Sequence, residues 1–527
     1  MDSVLMQCMI ARIAIFFRGV FPNSVFARMC RAIKESYLRS ATCRALCAFL
    51  SIPSAVVYSR LYRMANRINL ALFHFGEKIS GTVDQSRIFR ACRAFRSSNF
   101  VSHSAILSWI RRVGMRGLLI IAFGMYLPLD YLIRDVLQLE SIGTIWDEAF
   151  MLFCALYIVW RLVITRREQV KPRITPVDAP LLLFFGIGLL VMAMVSPDIR
   201  IAIAGYRAVF QFMLWFFILT RLIENNRDLR IFYYSMCTMA VAVGLHGIYQ
   251  YIVGAPMPSQ WVAAAETSMR TRVYSITGSP NIMGALMVMT APMLAALAYY
   301  VKPIWAKCLM WACTGVLCLA VLATFSRGAW FGLAVAVLLF CLIVDVKLLV
   351  VAAVGVVGLL LFVPAISNRI TFLFTSDFAQ ANNNGGRGER WAFGFHLLST
   401  SPVWGFGLGR FGGAIAMQNQ VIENLKYFYM DNYYMKTLVE MGYVGLGGYL
   451  FLLLSNLLAS IRGLFKTRHD RMRLLSAGMF CGMAGVLTHS FFENIFEVPY
   501  MNAYFWGMAA AIMYISYLRR RSCEKDA

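Results

Sequence analysis

The sequence predicts an all-α, polytopic membrane protein with about twelve transmembrane helices and one large external loop. Of its 527 residues, 60% are hydrophobic and only 14% are charged, which is too little charge to solvate a soluble protein of this size. Uncharged runs such as Leu181–Val195 and Leu348–Val363 approach or reach the length of a membrane-spanning helix. The loops between such runs alternate between basic and weakly charged or acidic, which is typical of membrane proteins.

This alternation of charge predicts the topology. The predicted spans cover residues 117–133, 149–164, 180–196, 202–220, 231–253, 282–300, 305–325, 329–344, 348–366, 442–460, 474–491 and 500–517. Basic residues precede the first span and follow the even-numbered spans. Because Lys and Arg remain on the cytoplasmic side, we expect both termini in the cytoplasm. The expected location of the protein is the plasma (inner) membrane. The loops 254–280, 367–441 and 492–499 are then external.

Three regions follow from this topology. Residues 1–116 form a basic cytoplasmic arm, residues 117–518 form the transmembrane domain, and residues 519–527 form a cytoplasmic tail. The external segment 367–441 begins with the polar stretch Gln380–Gly386 and then becomes aromatic and rich in glycine. Because loops of this length without structure of their own are uncommon in compact proteins, we expect this segment to form a helical lid.

Much of the net charge of +24 lies in the arm, where 18 lysines and arginines face four aspartates and glutamates. No helix-turn-helix, zinc-knuckle or RNA-binding motif accompanies them, so the expected partner is an anionic membrane surface and not a nucleic acid. Over residues 57–72, apolar side chains recur every three or four positions, and Arg60, Arg63 and Arg67 form a second stripe. This pattern predicts an amphipathic helix that either lies in the cytoplasmic membrane interface or packs on the protein's own cytoplasmic side.

The sequence predicts no metal site and no cofactor. Its 13 cysteines show no CxxC pair and no metal-ligand spacing, and none lies in a loop predicted to be external. An enzyme that uses nucleotide sugars is disfavoured, because neither an Asp-x-Asp motif nor a P-loop is present.

Several polar residues lie at predicted external helix ends, where each is costly unless it has a use. Arg207 lies two turns into the fourth span, Arg272 precedes the sixth, and Arg327 lies in the short turn between the seventh and eighth. Arginines from three external helix ends suit a diphosphate, although each alone could instead pair with a nearby carboxylate. His489 and Glu493 lie four residues apart at the outer end of the eleventh span, on one helical face.

Five segments carry short motifs that occur in this order in a known family. The segments are Arg272–Asn281, Ser326–Trp330, Gly386–Trp391, Ser401–Phe411 and Asp431–Leu446. The third has the pattern Gly-Arg-x-x-x-Trp, the fourth Pro-x-x-Gly-x-Gly, and the fifth resembles His-Asn…Glu-x-Gly-x-x-Gly-Leu. Together with the long external loop, these motifs resemble those of the O-antigen ligase and polysaccharide polymerase superfamily, over about residues 117–518.

The resemblance implies a metal-independent, inverting glycosyltransferase that works at the outer face of the membrane. A glycan carried on a polyprenyl diphosphate would pass to a hydroxyl of a glycan, lipid or cell-wall acceptor. Carried over by position, Arg272 and Arg327 bind the diphosphate, and Arg207 is a third candidate ligand. Asp431 stands where the family has a His, its usual base candidate. Because an aspartate is a weaker base than a histidine near neutral pH, His489 is an alternative base.

Arg387, Glu440 and Glu493 are further candidate site residues, of which the first two lie within the motifs. We favour polymerisation of a cell-surface glycan over its ligation to an acceptor. A non-catalytic alternative is a polytopic transporter or a flippase for lipid-linked glycans. Such proteins are usually built from duplicated halves, and the sequence contains no such repeat. A structural membrane scaffold would not require clustered external arginines.

Overall fold

The computed structural model describes residues 60, 62–79, 83, 85–87, 90, 104–165, 172–258, 271–375, 386–421, 429–467 and 470–519. Within these residues the chain forms helices and no β-strand, which confirms the predicted all-α fold class. The chain divides into two units, Met1–Met64 and Ala65–Ala527. Most of the predicted arm, and all but the first residue of the predicted tail, lie outside the described residues.

We number fourteen helices in the described part of the second unit. They are α1 Ala105–Gly124, α2 Trp146–Trp160, α3 Asp178–Val195, α4 Ile199–Leu222, α5 Asn226–Val253, α6 Pro280–Tyr300, α7 Ile304–Ala323, α8 Arg327–Ile343, α9 Leu348–Phe362, α10 Pro364–Thr371, α11 Arg387–Thr400, α12 Tyr433–Lys466, α13 Met472–His489 and α14 Pro499–Met513. Each of the twelve predicted spans overlaps one of these helices. The apolar runs in the sequence therefore located the helices correctly.

Fewer than twelve helices have the length and composition of a membrane span. Among the described residues these are α3, α4, α5, α6, α7 and the Tyr433–Phe465 part of α12. Two bent pairs bring the number to eight if each is one span: Leu107–Gly124 with Tyr126–Val136, bent by 74°, and α9 with α10, bent by 90°. The number twelve is thus not confirmed. Helices α2 and α14 are not among these spans; each has 15 residues and continues directly into a five-residue π-helical turn, Arg161–Thr165 and Tyr514–Leu518.

Helix α6 lies at the centre of the bundle and packs against α13, which also packs against α8. Glycines on α13 allow these close approaches. A side chain at Gly482 would place its Cβ 2.0 Å from the carbonyl oxygen of Met289 on α6, and one at Gly485 would lie 2.8 Å from the carbonyl oxygen of Gly332 on α8. The first residues of α6 and α8 are thereby fixed next to the last residues of α13.

Helix α12 is broken at Gly442, whose φ of +65° favours glycine. At the break, backbone N–H and C=O groups of α12 have no partner within the helix. A neighbouring loop lies in the break and bonds to them. Phe406 N donates to the carbonyl of Val439 at 2.7 Å, and Tyr443 N donates to that of Pro402 at 2.9 Å. The loop over residues 402–407 is therefore fixed to α12 by backbone hydrogen bonds.

The predicted lid, residues 367–441, is partly helical where it is described. It contains the end of α10, the whole of α11 and a short helix, Ala414–Gln418. A separate apolar cluster of Phe411, Met430, Met435 and Val439 packs α11 against the first turns of α12. Residues 376–385 and 422–428 lie outside the described part of the chain, and the external position of the lid remains a prediction.

The arm contributes one described helical stretch to the second unit, residues 65–79. At Gly76 the backbone of this helix approaches the chain that follows α2, since a Cβ at Gly76 would lie 2.0 Å from the carbonyl oxygen of Val163. Of the two arrangements that the amphipathic pattern predicts, this contact favours a helix packed on the protein itself over a helix that lies free in the membrane interface.

Candidate functional site

A cavity of about 280 Å³ lies where four helices begin. The first turns of α6, α8 and α11, together with the residue before the N-cap of α12, contribute to its lining. A helix N-terminus carries backbone N–H groups without helical partners and the positive end of the helix dipole. Four such ends around one cavity favour an anion.

The side chains that line the cavity reinforce this preference. Five of the described lining residues are arginines and one is a carboxylate: Arg272, Arg327, Arg369, Arg387, Arg390 and Asp431. The lining therefore has a strong excess of positive charge. Guanidinium groups bind phosphate oxygens through two parallel hydrogen bonds, so this excess suits a phosphorylated ligand.

Arg272 joins two helix ends at the cavity. Its side chain is buried, its Nε donates to the carbonyl of Thr324 at 2.9 Å, and its Nη2 donates to Oδ1 of Asn281 at 3.1 Å. Thr324 belongs to the turn between α7 and α8, and Asn281 lies in the first turn of α6. The guanidinium is thus held by groups from both sides.

The turn before α8 is held from a second side by Arg369, a buried residue of α10 that donates from Nε to the carbonyl of Phe325 at 3.2 Å. Phe325 has a φ of +51°, which is strained for a residue with a side chain. Ser326 then caps α8 by accepting from Ala329 N at 3.4 Å. Arg327, the first residue of α8, lies over the ring of Phe372 at 5.8 Å. Arg272 and Arg369 together thus fix the turn that presents Arg327.

The lid helix α11 contributes the remaining arginines. Arg387 Nε lies 2.5 Å from Oδ2 of Asp431, and its Nη2 donates to the carbonyl of Phe492 at 2.9 Å. Arg390 Nη1 lies 3.7 Å from the same carboxylate oxygen. Asn432, which follows Asp431 in the chain, caps α12 by accepting from Met435 N at 3.0 Å. Asp431 therefore ties the start of α11 to the start of α12.

His489 and Glu493 are buried next to the lining residues. The ring of His489 lies against Gly328, where a Cβ would be 2.7 Å from its Cδ2. Glu493 accepts hydrogen bonds from the Nδ2 of Asn281 and the hydroxyl of Tyr429. Burial raises the pKa of Glu493, against the opposing effects of its hydrogen bonds and of nearby arginines. Both residues therefore contact lining residues of the cavity without lining it themselves.

The two other predicted site residues lie elsewhere. Arg207 pairs with Glu148, and its Nε donates to Oε1 of Gln211 at 3.2 Å. Glu440 is buried, accepts from Lys436 Nζ at 2.9 Å, and stands 3.3 Å from the backbone N of Phe411. Neither lines the cavity. Glu440 instead supports the loop that occupies the break in α12.

Of the eight predicted site residues, Arg272, Arg327, Arg387 and Asp431 line the cavity. The sequence reasoning missed Arg369 and Arg390. A signal existed for Arg390, which follows Arg387 by three residues and so shares its helical face. For Arg369 the signal was a lone arginine after an apolar run, in a loop predicted to be external, where basic residues are depleted.

Among the described residues, no group of three or more His, Cys, Asp or Glu side chains could hold a metal ion. The arginines and helix N-termini are the positive groups that this cavity offers to an anion.

Comparison with known proteins agrees with the motifs. The family model described as O-antigen ligase matches residues 312–450. The matched range contains α8–α11 and the first part of α12, and with them Arg327, Arg369, Arg387, Arg390 and Asp431. Arg272, His489 and Glu493 lie outside this range. A search of curated proteins finds no match to the chain. Taken with its apolar helices, the family match confirms that this multi-pass membrane protein is similar, over residues 312–450, to the O-antigen ligase superfamily.

Proposed function

We propose that the protein transfers a glycan from a polyprenyl diphosphate to an acceptor hydroxyl at the outer face of the membrane. The observation that carries this proposal is the meeting of five arginines and four helix starts in one cavity. A polyprenyl diphosphate presents two adjacent phosphates at the membrane surface, and a cluster of guanidinium groups matches both their charge and their geometry. The similarity to O-antigen ligases supports the same ligand.

The arginines would act on the leaving group. During transfer the acceptor oxygen bonds to the anomeric carbon, the bond from that carbon to the diphosphate oxygen breaks, and negative charge builds on the diphosphate. Fixed positive groups accelerate this step because they interact most strongly with the charge that develops. Arg272 and Arg327 are the ligands that we propose for the diphosphate. Arg369 fixes the turn that presents Arg327, and the lid supplies Arg387 and Arg390 from another side.

The acceptor hydroxyl must lose its proton in this reaction, and two residues are candidates for the base. Asp431 lines the cavity and His489 lies against Gly328. We propose a direct displacement that inverts the anomeric configuration, in which either residue receives the proton. The variants Asp431→Asn and His489→Gln separate the two, because only the variant that lacks the base should lose the pH dependence of turnover.

The topology that we propose places this cavity outside. Twelve helices span a plasma or inner membrane, both termini and residues 1–116 are cytoplasmic, and residues 367–441 form an external lid. The alternation of loop charge supports this orientation. The position of the cavity at helix starts supports its location at a membrane surface, since five arginines would be costly within the hydrocarbon.

A reconstituted system tests the proposal. The purified protein in lipid nanodiscs is given a polyprenyl-diphosphate-linked repeat unit and an acceptor, and both the released polyprenyl diphosphate and the glycan product are measured. We expect release of polyprenyl diphosphate together with a longer or transferred glycan, and loss of both in Arg327→Ala. Movement of the lipid-linked glycan across the membrane of proteoliposomes that contain the same protein, without any release of polyprenyl diphosphate, would contradict the proposal and indicate a flippase. Extension of the glycan chain would indicate the polymerase that we favour. Transfer of the glycan to a lipid or cell-wall acceptor would indicate a ligase.

A further inference from the structure

A chain of hydrogen bonds connects the buried carboxylate of Glu493 to the guanidinium of Arg272. Glu493 accepts from the Nδ2 of Asn281, and Oδ1 of Asn281 accepts from Arg272 Nη2 at 3.1 Å. Arg272 is in turn fixed to the turn before α8 through the carbonyl of Thr324. Glu493 and Arg272 are both buried, so water competes little for these bonds.

The carboxylate determines which way the amide of Asn281 faces. An ionised carboxylate can only accept hydrogen bonds and a guanidinium can only donate them. Asn281 lies between them, so it must turn its NH2 to Glu493 and its oxygen to Arg272. The reverse orientation would place an NH2 group against the guanidinium and an oxygen against the carboxylate. Glu493 therefore decides whether Arg272 meets an acceptor at this position.

The second oxygen of Glu493 connects the same chain of bonds to the predicted lid. Oε1 accepts from the hydroxyl of Tyr429, which lies within the lid segment and is 40% exposed. Tyr429 is followed by Met430 of the apolar cluster and by Asp431, which pairs with Arg387. The lid is thus joined to Glu493 by one hydroxyl and to the arginine cavity by one ion pair.

We propose that Glu493 is a positioning residue, which holds Arg272 through Asn281 in the orientation that binds a diphosphate. The hydroxyl of Tyr429 makes this arrangement depend on the lid. The inference rests on the proposed function, because it assumes that Arg272 contacts the diphosphate of the substrate.

An exchange of the amide and the carboxylate tests this role. In Asn281→Asp alone, two carboxylates face each other and the donor to Glu493 is lost. In the double variant Asn281→Asp/Glu493→Gln, the new amide donates to the new carboxylate, whose other oxygen again accepts from Arg272. The double variant has the same net charge and the same number of hydrogen bonds as the parent. Asn368→Asp is the matched control, since it adds the same charge at an exposed position beside Arg369.

The measurement is the affinity of each full-length protein in nanodiscs for inorganic pyrophosphate, by isothermal titration calorimetry, with melting temperatures recorded alongside. We expect Asn281→Asp to bind about tenfold more weakly or worse, because a hydrogen bond to a charged group is disrupted. The double variant should recover to within about threefold of the parent, and Asn368→Asp should stay near the parent. Tyr429→Phe, which removes only the hydroxyl, should weaken binding by a smaller factor.

Parental affinity in Asn281→Asp would overturn the inference. So would a double variant that binds no better than Asn281→Asp, or one that does not fold. If Asn281→Asp itself does not fold, the double variant decides the question alone. A parent protein that binds no pyrophosphate would refute the diphosphate site and this inference together, whereas failure of the exchange in a parent that binds would remove the inference only.

Discussion

Arg387 at the start of the lid helix and Asp431 just before α12 form an ion pair in the lining of the cavity that contains the five arginines, with 2.5 Å between Nε and Oδ2. The two residues are 44 positions apart, and part of the chain between them lies outside the described residues. The pair fixes one wall of the cavity, because Arg387 also donates to the carbonyl of Phe492 after α13. It thereby joins the lid to the transmembrane bundle.

This pair should show a measurable coupling energy. We expect Arg387→Ala and Asp431→Ala each to lower the free energy of unfolding. The double variant should lower it by about 1 kcal/mol less than the sum of the two single effects. The side chain of Arg387 is 41% exposed, so solvent screening keeps the coupling small. Thermal unfolding of the four proteins in one detergent measures it. Arg410→Ala combined with Asp431→Ala is the control and should be additive, since Arg410 donates to the carbonyl of Phe406 instead.

The break in α12 should depend on glycine. At Gly442, φ is +65° and a Cβ would lie 2.3 Å from the carbonyl oxygen of Val403. We expect Gly442→Ala to lower the free energy of unfolding by at least about 1–3 kcal/mol, the usual cost of such strain. Gly447→Ala, one turn further along the same helix with open space around it, should instead be neutral or stabilising. Equal melting temperatures for the two variants would contradict the described course of the loop.

Glu493 should make the stability of the protein depend on pH. Burial raises its pKa in the folded state, so the unfolded chain gives up this proton at a lower pH than the folded one. The group's contribution to stability is then fully present below the unfolded pKa and is lost as pH rises through the folded pKa. The melting temperature of the parent minus that of Glu493→Gln should therefore fall as the pH rises above the ordinary glutamate pKa of 4.5. A difference that stays constant or rises would show that burial does not raise the pKa of Glu493 in the folded protein, and Glu140→Gln at an exposed position is the control.

Turnover of lipid-linked glycan should persist in EDTA. Five arginines and four helix starts surround the cavity, and they can meet the charge of a diphosphate without a divalent ion. The rate is measured before and after chelation, and again after addition of Mg²⁺ or Mn²⁺. A rate that falls on chelation and is restored by either ion would contradict the metal-independent mechanism.

Local patterns in the sequence predicted the helices well, because an apolar run marks a helix wherever it is packed. They also brought Arg272 and Arg327 to one site, since both lie next to helix ends that the charge alternation places on the same side. The contribution of Arg369 could not be read in this way. It reaches the turn before α8 only because α10 is bent by 90° from α9. Pro364 marks where the helix breaks, but it does not set the direction in which the chain continues.

The same limit applies to Arg207 and to the number of spans. Arg207 pairs with Glu148, which is 59 positions away, and no local pattern predicts that contact. Hydropathy also cannot measure where an apolar helix ends inside a bundle. Helix α14 is apolar enough to be predicted as a span, yet after 15 residues its geometry changes to the π-helical turn Tyr514–Leu518, which hydropathy does not predict.

The central claim is that Arg272 and Arg327 bind the leaving diphosphate. Substitution of each arginine by lysine tests this claim most directly. Lysine keeps the positive charge but loses the two-pronged geometry of the guanidinium. The turnover of lipid-linked glycan and the melting temperature are measured for Arg272→Lys, Arg327→Lys and the parent. Arg134→Lys is the control, because Arg134 pairs with Asp130 away from the cavity.

We expect Arg272→Lys and Arg327→Lys to fold and to lose about 10²–10³ in rate, the usual effect of removing one donor to a developing charge. The melting temperature of Arg327→Lys should stay near that of the parent, and that of Arg272→Lys should be modestly lower, because Arg272 also joins two helix ends. Arg134→Lys should retain parental turnover. Well-folded Arg272→Lys and Arg327→Lys proteins with near-parental turnover would contradict the assignment. Strongly destabilised ones would show that these arginines serve the fold instead of the diphosphate.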